Sequence, residues 1–344
     1  MPVNTSRTTY REHTDTENIL KLRQVLSTLP AFCKDYFRAI DSTTTTKTRI
    51  SYAYDIRIFF QFLLDENPVF KNYAMTDFSV DVLDQIKAID LEEYMEYLKV
   101  YQNGDKTETN GERGLKRKIS ALRSFYAYYY KREMIHTNPT VLIDVPKIHD
   151  KSIIRLDTDE VALLLDYIEH CGDSLTGQKR VYYEKTKERD LAIVTLLLGT
   201  GIRVSECVGL DIEDVDFKNN GIKVTRKGGN EMVVYFGEEV EKALKRYLEV
   251  RAGITPLAGH EHALFYSAQR KRMGVQAVEN MVKKYSRQIT TTKKITPHKL
   301  RSTYGTALYQ ETGDIYLVAD VLGHKDVNTT KKHYAALDDA RRRQ

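Results

Sequence analysis

The chain has 344 residues, 29% of them charged, with a net charge of +5. That is long enough for two domains with real cores, because single cores rarely outgrow about 250–300 residues. So small a positive excess means that any binding of a polyanion must rest on clustered rather than overall charge. The three cysteines, Cys33, Cys171 and Cys207, form no Cys-x-x-Cys pair, which argues against a disulfide framework or thiolate metal site and fits a reducing cytosol. No apolar run approaches about 18 residues and no N-terminal h-region is present, so a cytoplasmic protein with no membrane association is expected.

Residues 1–25 are polar and rich in Thr, Arg and Glu, and are expected to be a flexible N-terminal segment. Helical periodicity then begins. Thr44–Asp65 places Ala53, Ile56, Phe60 and Leu63 on one stripe, with Lys47, Arg49 and Arg57 off it. Asn67-Pro68 ends this helix, because the residue before a proline is pushed out of the α region. Leu91–Tyr101 reads as another helix. From Glu112 to Lys131, Leu115, Ile119, Leu122, Tyr126 and Tyr129 recur at alternating spacings of four and three, a buried seam that Asn138-Pro139 stops. Residues 26–144 are thus predicted to be an all-helical domain, and 145–153, around Val145-Pro146-Lys147, a polar linker.

Beyond the linker, residues 154–344 change texture. Asp157 and Thr158 suit the N-terminus of a helix through His170. Glu188–Leu198 is an apolar helix stopped by Gly199 and Gly201, which suit a left-handed C-terminal turn. Gly221–Arg226 and Glu231–Phe236 are β-prone runs around Lys227-Gly228-Gly229-Asn230, a hairpin signal. Ala263–Tyr266 is a further candidate strand. Helices are predicted at Glu238–Arg251, Val275–Arg287, His298–Gln310, Ile315–Leu322 and around Asn328–Tyr334. The fold class is mainly α with a small β-sheet.

Four short elements carry chemistry. Arg203 follows the glycines at the start of a short helix, where its guanidinium and backbone N–H groups could face an anion; taken alone it reads as a surface arginine paired with Glu206. Lys227 sits at a hairpin tip, an ordinary solvated turn by itself but also an arm that can carry a cation into a groove. His298 and Arg301 are three apart and share a helix face, with Pro297 suited to the first turn. That places an imidazole beside a bidentate phosphate clamp. His324 follows Gly323 at a helix end, and Tyr334 comes ten residues later. His298 and His324 lack carboxylate or thiolate partners at ligand spacing, so no metal and no cofactor is expected. Tyr334 alone, as one of 23 tyrosines, would be read as packing. The ordered set reads otherwise: arginines to hold a phosphate, a lysine to protonate a leaving oxygen and a tyrosine to attack.

With those elements in order, the sequence resembles the tyrosine recombinase (phage integrase) family over about residues 30–340. Thr200-Gly201-Ile202-Arg203-Val204-Ser205-Glu206 looks like its first arginine motif and Arg226-Lys227-Gly228-Gly229 like its hairpin lysine. His298-Lys299-Leu300-Arg301 looks like its second box, followed by Leu322-Gly323-His324 and Tyr334. Within the family it is most similar to the Xer type, particularly the single-protein form of Gram-positive bacteria. One departure is the gap from His324 to Tyr334, longer by a residue than is usual there. The resemblance implies a SAM-like helical core-binding domain followed by a catalytic domain. It also implies DNA strand breakage and rejoining without metal or ATP through a 3′-phosphotyrosine. Arg203 and Arg301 would hold the phosphate, Lys227 protonate the 5′ oxygen and Tyr334 attack. His298 and His324 would handle protons or bond the phosphate, with no division of labour between them implied.

The expected partner is double-stranded DNA, clamped by both domains, with phosphate contacts from Lys47, Arg49 and Arg57 on one helix and Lys116, Arg117, Lys118 and Arg123 on another. The resemblance further implies a homotetramer on two DNA sites, acting through a Holliday junction to resolve chromosome or plasmid dimers, with a DNA translocase of the division machinery as a partner. The alternatives are an integrase or excisionase of a mobile element, a relaxing enzyme like a type IB topoisomerase, and a catalytically dead DNA-binding protein.

Overall fold

The computed structural model describes residues 10–147, 153–226 and 229–323, and the chain divides into two compact units, Met1–Asp150 and Lys151–Gln344. In the first unit the helices are α1 (Tyr10–Leu26), α2 (Cys33–Ala39), α3 (Thr46–Glu66), α4 (Val82–Gln85), α5 (Ala88–Tyr97) and α6 (Glu112–Lys131). A hairpin of β1 (Val100–Asn103) and β2 (Lys106–Thr109) precedes α6. Helix α3 starts where the Thr45 hydroxyl accepts the Thr48 N–H at 3.3 Å and ends at Asn67, held extended before Pro68. Its buried stripe of Ile50, Ala53, Ile56, Phe59, Phe60 and Leu63 faces the seam of α6, where Leu115, Ile119, Leu122, Phe125, Tyr126 and Tyr129 are all buried.

Aromatic rings fill this core. Phe125 meets Tyr36 edge-on at 5.2 Å between centroids and Tyr129 at 5.1 Å. Such pairs add about 0.5–1.5 kcal/mol each beyond the area they bury. The buried hydroxyls are satisfied: Tyr36 donates to Ser124 Oγ at 2.8 Å and Tyr129 to the Phe32 carbonyl at 2.7 Å.

Two expectations fail here. Residues 10–25 are not a flexible segment but form most of α1, which packs on α3 through buried Leu22 and Val25; residues 1–9 lie outside the described residues. The helix expected to reach Tyr101 stops at Tyr97, and the chain turns into the β1–β2 hairpin. Its turn residues are Gly104 and Asp105, with Gly104 at φ +60° in the first central position, where hairpin turns favour glycine.

The second unit holds α7 (Thr158–His170), α8 (Gly177–Thr200), α9 (Val204–Gly209), β3 (Val215–Asp216), β4 (Gly221–Thr225) and β5 (Glu231–Tyr235). Next come α10 (Glu238–Ala252), α11 (Val275–Ile289), α12 (Pro297–Thr312) and α13 (Ile315–Leu322). Helix α8 is central, touching α7, α10 and α12, and every residue from Leu191 to Leu197 is buried. A helix apolar on all sides belongs in a core. It begins at Gly177, before the expected Glu188; its first turns are largely polar and leave little apolar period to read.

The sheet is antiparallel in the order β3-β4-β5. Its third strand is Val215–Asp216, not the expected Ala263–Tyr266, which makes only isolated bridges from Ala263 to Asp211 and from Tyr266 to Arg272. The helix expected around Asn328–Tyr334 lies outside the described residues.

Candidate active site

The site is assembled at the ends of elements. Helix α8 closes with Gly201 at φ +61°, its N–H bonded to the Leu197 carbonyl. Glycine is required there twice over, since a Cβ would also collide with the Tyr304 ring. The turn delivers Arg203 to the N-cap of α9. The buried Glu206, 8% exposed, accepts the Arg203 backbone N–H at 2.7 Å and its Nη1 at 2.8 Å. One carboxylate thus caps the helix and fixes the direction of the guanidinium. Arg203 Nη2 reaches the Gly323 carbonyl at 3.3 Å.

Helix α12 opens on Pro297, as the sequence suggested, with His298 exposed in the first turn. Arg301, one turn later, is 5% exposed. Its Nη1 donates to the Gly201 carbonyl and its Nη2 to the Leu322 carbonyl. Helix α13 begins at Asp314, whose side chain accepts the N–H groups of Tyr316 and Leu317, and ends at Gly323 with φ +61°. The last carbonyls of a helix have no intrahelical partner and lie at the negative end of its dipole. Arg203 and Arg301, distant in sequence, converge on this one carbonyl-lined end.

Arg226, at the end of β4, joins them, donating from Nη1 to the Asp320 carbonyl and from Nη2 to the Val321 carbonyl. Burial pulls its pKa below the ordinary arginine value; Glu206 opposes this, Arg203 adds to it and Asp320 opposes. Arg203 and Arg301, brought to one helix end with Glu206 bonded to the first of them, concentrate positive charge that attracts an anion. Arg226 is not among the site residues expected from the sequence. Lys227, His324 and Tyr334 lie outside the described residues, although Arg226 and Gly323 are the chain neighbours of the first two.

The first unit treats its candidate cations unequally. Lys47 and Lys116 are exposed on α3 and α6. Lys118 is not on an outer face: it is 5% exposed and bonds Asp55 Oδ1 at 3.1 Å. Arg117 grips the same carboxylate with both Nη atoms. Arg123 spans the carbonyls of Thr140 and Ile143 at 3.0 and 2.8 Å, tying α6 to the segment after Asn138-Pro139. Arg49 pairs with Asp41, and Arg57 lies 5.0 Å above the Tyr54 ring. Among the described residues no three His, Cys, Asp or Glu side chains come together as a metal would need.

The sequence profile described as the phage integrase family matches residues 155–341. The chain is 32% identical to a tyrosine recombinase XerC of Caldanaerobacter subterraneus, over 90% of this chain and 83% of that protein. It is 29% identical to a tyrosine recombinase XerS of Streptococcus uberis, over 93% and 95% of the respective lengths. In fold it matches the XerH site-specific recombinase bound to difH substrate, with a TM-score of 0.60 at 20% identity over 86% of this chain and 78% of that one. The Tn1549 transposon integrase in complex with circular intermediate DNA matches with a TM-score of 0.62 at 22% identity, over 88% and 94%. The chain belongs to the phage integrase family and is a tyrosine recombinase.

Proposed function

We propose that this recombinase cuts and rejoins DNA at a specific site to resolve chromosome or plasmid dimers, acting as a homotetramer on two duplexes. The observation that carries the reading is the convergence of Arg203 and Arg301 on one helix end, with Glu206 holding the first of them. A phosphodiester resists attack because its charge repels nucleophiles and its alkoxide leaves poorly. Preorganised cations around the non-bridging oxygens address the first obstacle, and removing one such donor typically costs about 10²–10³-fold in rate. A guanidinium carries more N–H donors than the bonds to Glu206 and Gly323 use, so Arg203 retains donors for a phosphate oxygen.

In this reading Tyr334 attacks the phosphorus, its proton passing to a neighbouring base, and a 3′-phosphotyrosine forms as the phosphorus–oxygen bond to the 5′ side breaks. Lys227 gives its proton to that departing oxygen. His298 and His324 bond the phosphate or handle protons. The covalent link conserves the bond energy, so a 5′-hydroxyl from another strand reverses the step with no metal or ATP. Lys47 and Lys116, exposed on their helices, supply phosphate contacts that set register. The relatives named XerC and XerS favour dimer resolution over a mobile element.

The test is covalent capture. Fragmented genomic DNA is incubated with the parent protein, adducts are recovered under denaturing conditions, and the trapped duplex is sequenced and its cleaved position mapped. Recovery of one site per chromosome or plasmid supports the reading; recovery of element ends moves it to integration. Tyr334→Phe should bind the captured duplex normally and form no adduct. A persisting adduct would overturn the assignment of the nucleophile.

A further inference from the structure

Arg226 has a place in the fold that the resemblance to the family does not explain. Its backbone closes the neck of the β4–β5 hairpin, the N–H donating to the Asn230 carbonyl at 2.8 Å and the carbonyl accepting from Gly229 at 2.9 Å. Its side chain leaves the hairpin altogether. Nη1 donates to the Asp320 carbonyl at 3.2 Å and Nη2 to the Val321 carbonyl at 2.6 Å, two successive acceptors in the last turn of α13. Gly323, at φ +61°, has its missing Cβ where the Arg226 guanidinium lies, so the helix end leaves room for this fork. The next residue after Arg226 is Lys227, and the next after Gly323 is His324.

We propose that Arg226 is a positioning residue for Lys227, stapling the neck of the hairpin to the C-terminal turn of α13 and so fixing the origin from which the lysine reaches the phosphate. The proposal rests on the reading of Lys227 as the general acid. Arginine suits the task because its planar fork spans two carbonyls at once, whereas an ammonium is a point charge that holds one direction poorly. The helix dipole adds to the attraction, since the guanidinium meets its negative end. A misplacement of about 1 Å at a reacting group can cost about 10²-fold, which sets the scale of the loss.

The experiment uses the full chain and the captured duplex in two forms, one with the normal scissile phosphate and one with a 5′-bridging phosphorothiolate. A sulfur leaving group needs no proton. Arg226→Ala should slow single-turnover cleavage of the normal duplex by about 10–10²-fold and cleave the sulfur duplex at close to the parent rate. Affinity for uncleaved duplex should be unchanged, and Arg226→Lys should recover part of the lost rate. Lys227→Ala is run alongside on both duplexes. If Lys227→Ala is not rescued by sulfur, the general-acid reading fails, and the proposal falls with it. If Lys227→Ala is rescued but Arg226→Ala stays equally slow on both duplexes, Arg226 acts on the phosphate or the fold, and the positioning role alone is overturned. Parent-like cleavage of the normal duplex by Arg226→Ala overturns it as well. Should the alanine variant not fold, Arg226→Met, which keeps the apolar stem, decides by the same comparison.

Discussion

Glu206 is where stability and chemistry are most tightly joined, and Glu206→Gln separates them. The carboxylate accepts two bonds, from the Arg203 backbone N–H at 2.7 Å and from its Nη1 at 2.8 Å. A glutamine of the same shape offers one carbonyl for those two donors, and its NH₂ group must point at an N–H whichever way it turns. The loss is therefore one bond to a charged group, about 1.5–3 kcal/mol, or one N-cap, about 0.5–2 kcal/mol. The Arg203 side chain is 35% exposed, so water replaces part of what it loses and the lower half of the first range applies. A loss of about 2 kcal/mol lowers the melting temperature by roughly 4–8 °C for a unit of this size. The activity cost should exceed what the melt suggests, because a guanidinium without its orienting carboxylate no longer presents a fixed fork: about 10–10²-fold slower adduct formation at a temperature where the variant is fully folded. Differential scanning calorimetry and single-turnover cleavage of the captured duplex measure the two effects. If Glu206→Gln melts lower yet cleaves at the parent rate, the carboxylate is a cap and nothing more, and Arg203 is oriented by something else.

Cleavage should survive EDTA, because Arg203 and Arg301 supply the charge a metal would otherwise bring; loss of activity in chelator that Mg²⁺ restores would refute the arginine-based reading. Asp55→Ala should destabilise the first unit by about 3–5 kcal/mol by leaving the buried Lys118 without its carboxylate. Asp55→Ala combined with Lys118→Met should recover most of that loss in urea melts, and no recovery would show that the ion pair is not the cause. Replacing both Lys47 and Lys116 by alanine should lower the slope of log affinity against log salt by about 2, from roughly 0.9 per phosphate contact; an unchanged slope would remove both from the interface.

What the sequence made legible is what has a period or a punctuation mark. The α6 seam, the helix begun at Asp157, the hairpin around Gly228-Gly229 and the left-handed Gly201 were all readable, because apolar spacing and glycine leave direct traces. Helix α1 was missed since Arg11–Asn18 is wholly polar and, of the apolar residues that follow, Ile19 and Leu20 are exposed and only Leu22 and Val25 are buried. The β1–β2 hairpin turns on Gly104-Asp105, but only Tyr101 is buried along its strands and no alternation supports it. Lys118 shows a different limit. Its helical phase, three after Leu115 and four before Leu122, already placed it near the seam, yet a lysine there has a reason only once Asp55 of α3 is seen beneath it.

The candidate site shows the deepest limit. Arg203 and Arg301 were found because motifs name them, whereas Arg226 was passed over although it stands beside Lys227 in the same motif. Its partners are the main-chain carbonyls of Asp320 and Val321, and a carbonyl is present at every residue, so no side-chain pattern announces it. The same holds for the Gly201, Leu322 and Gly323 carbonyls that receive the other two guanidiniums. What gathers the site is thus a helix terminus, whose unpaired acceptors are common to all helices, aimed at three arginines that only the fold brings within reach.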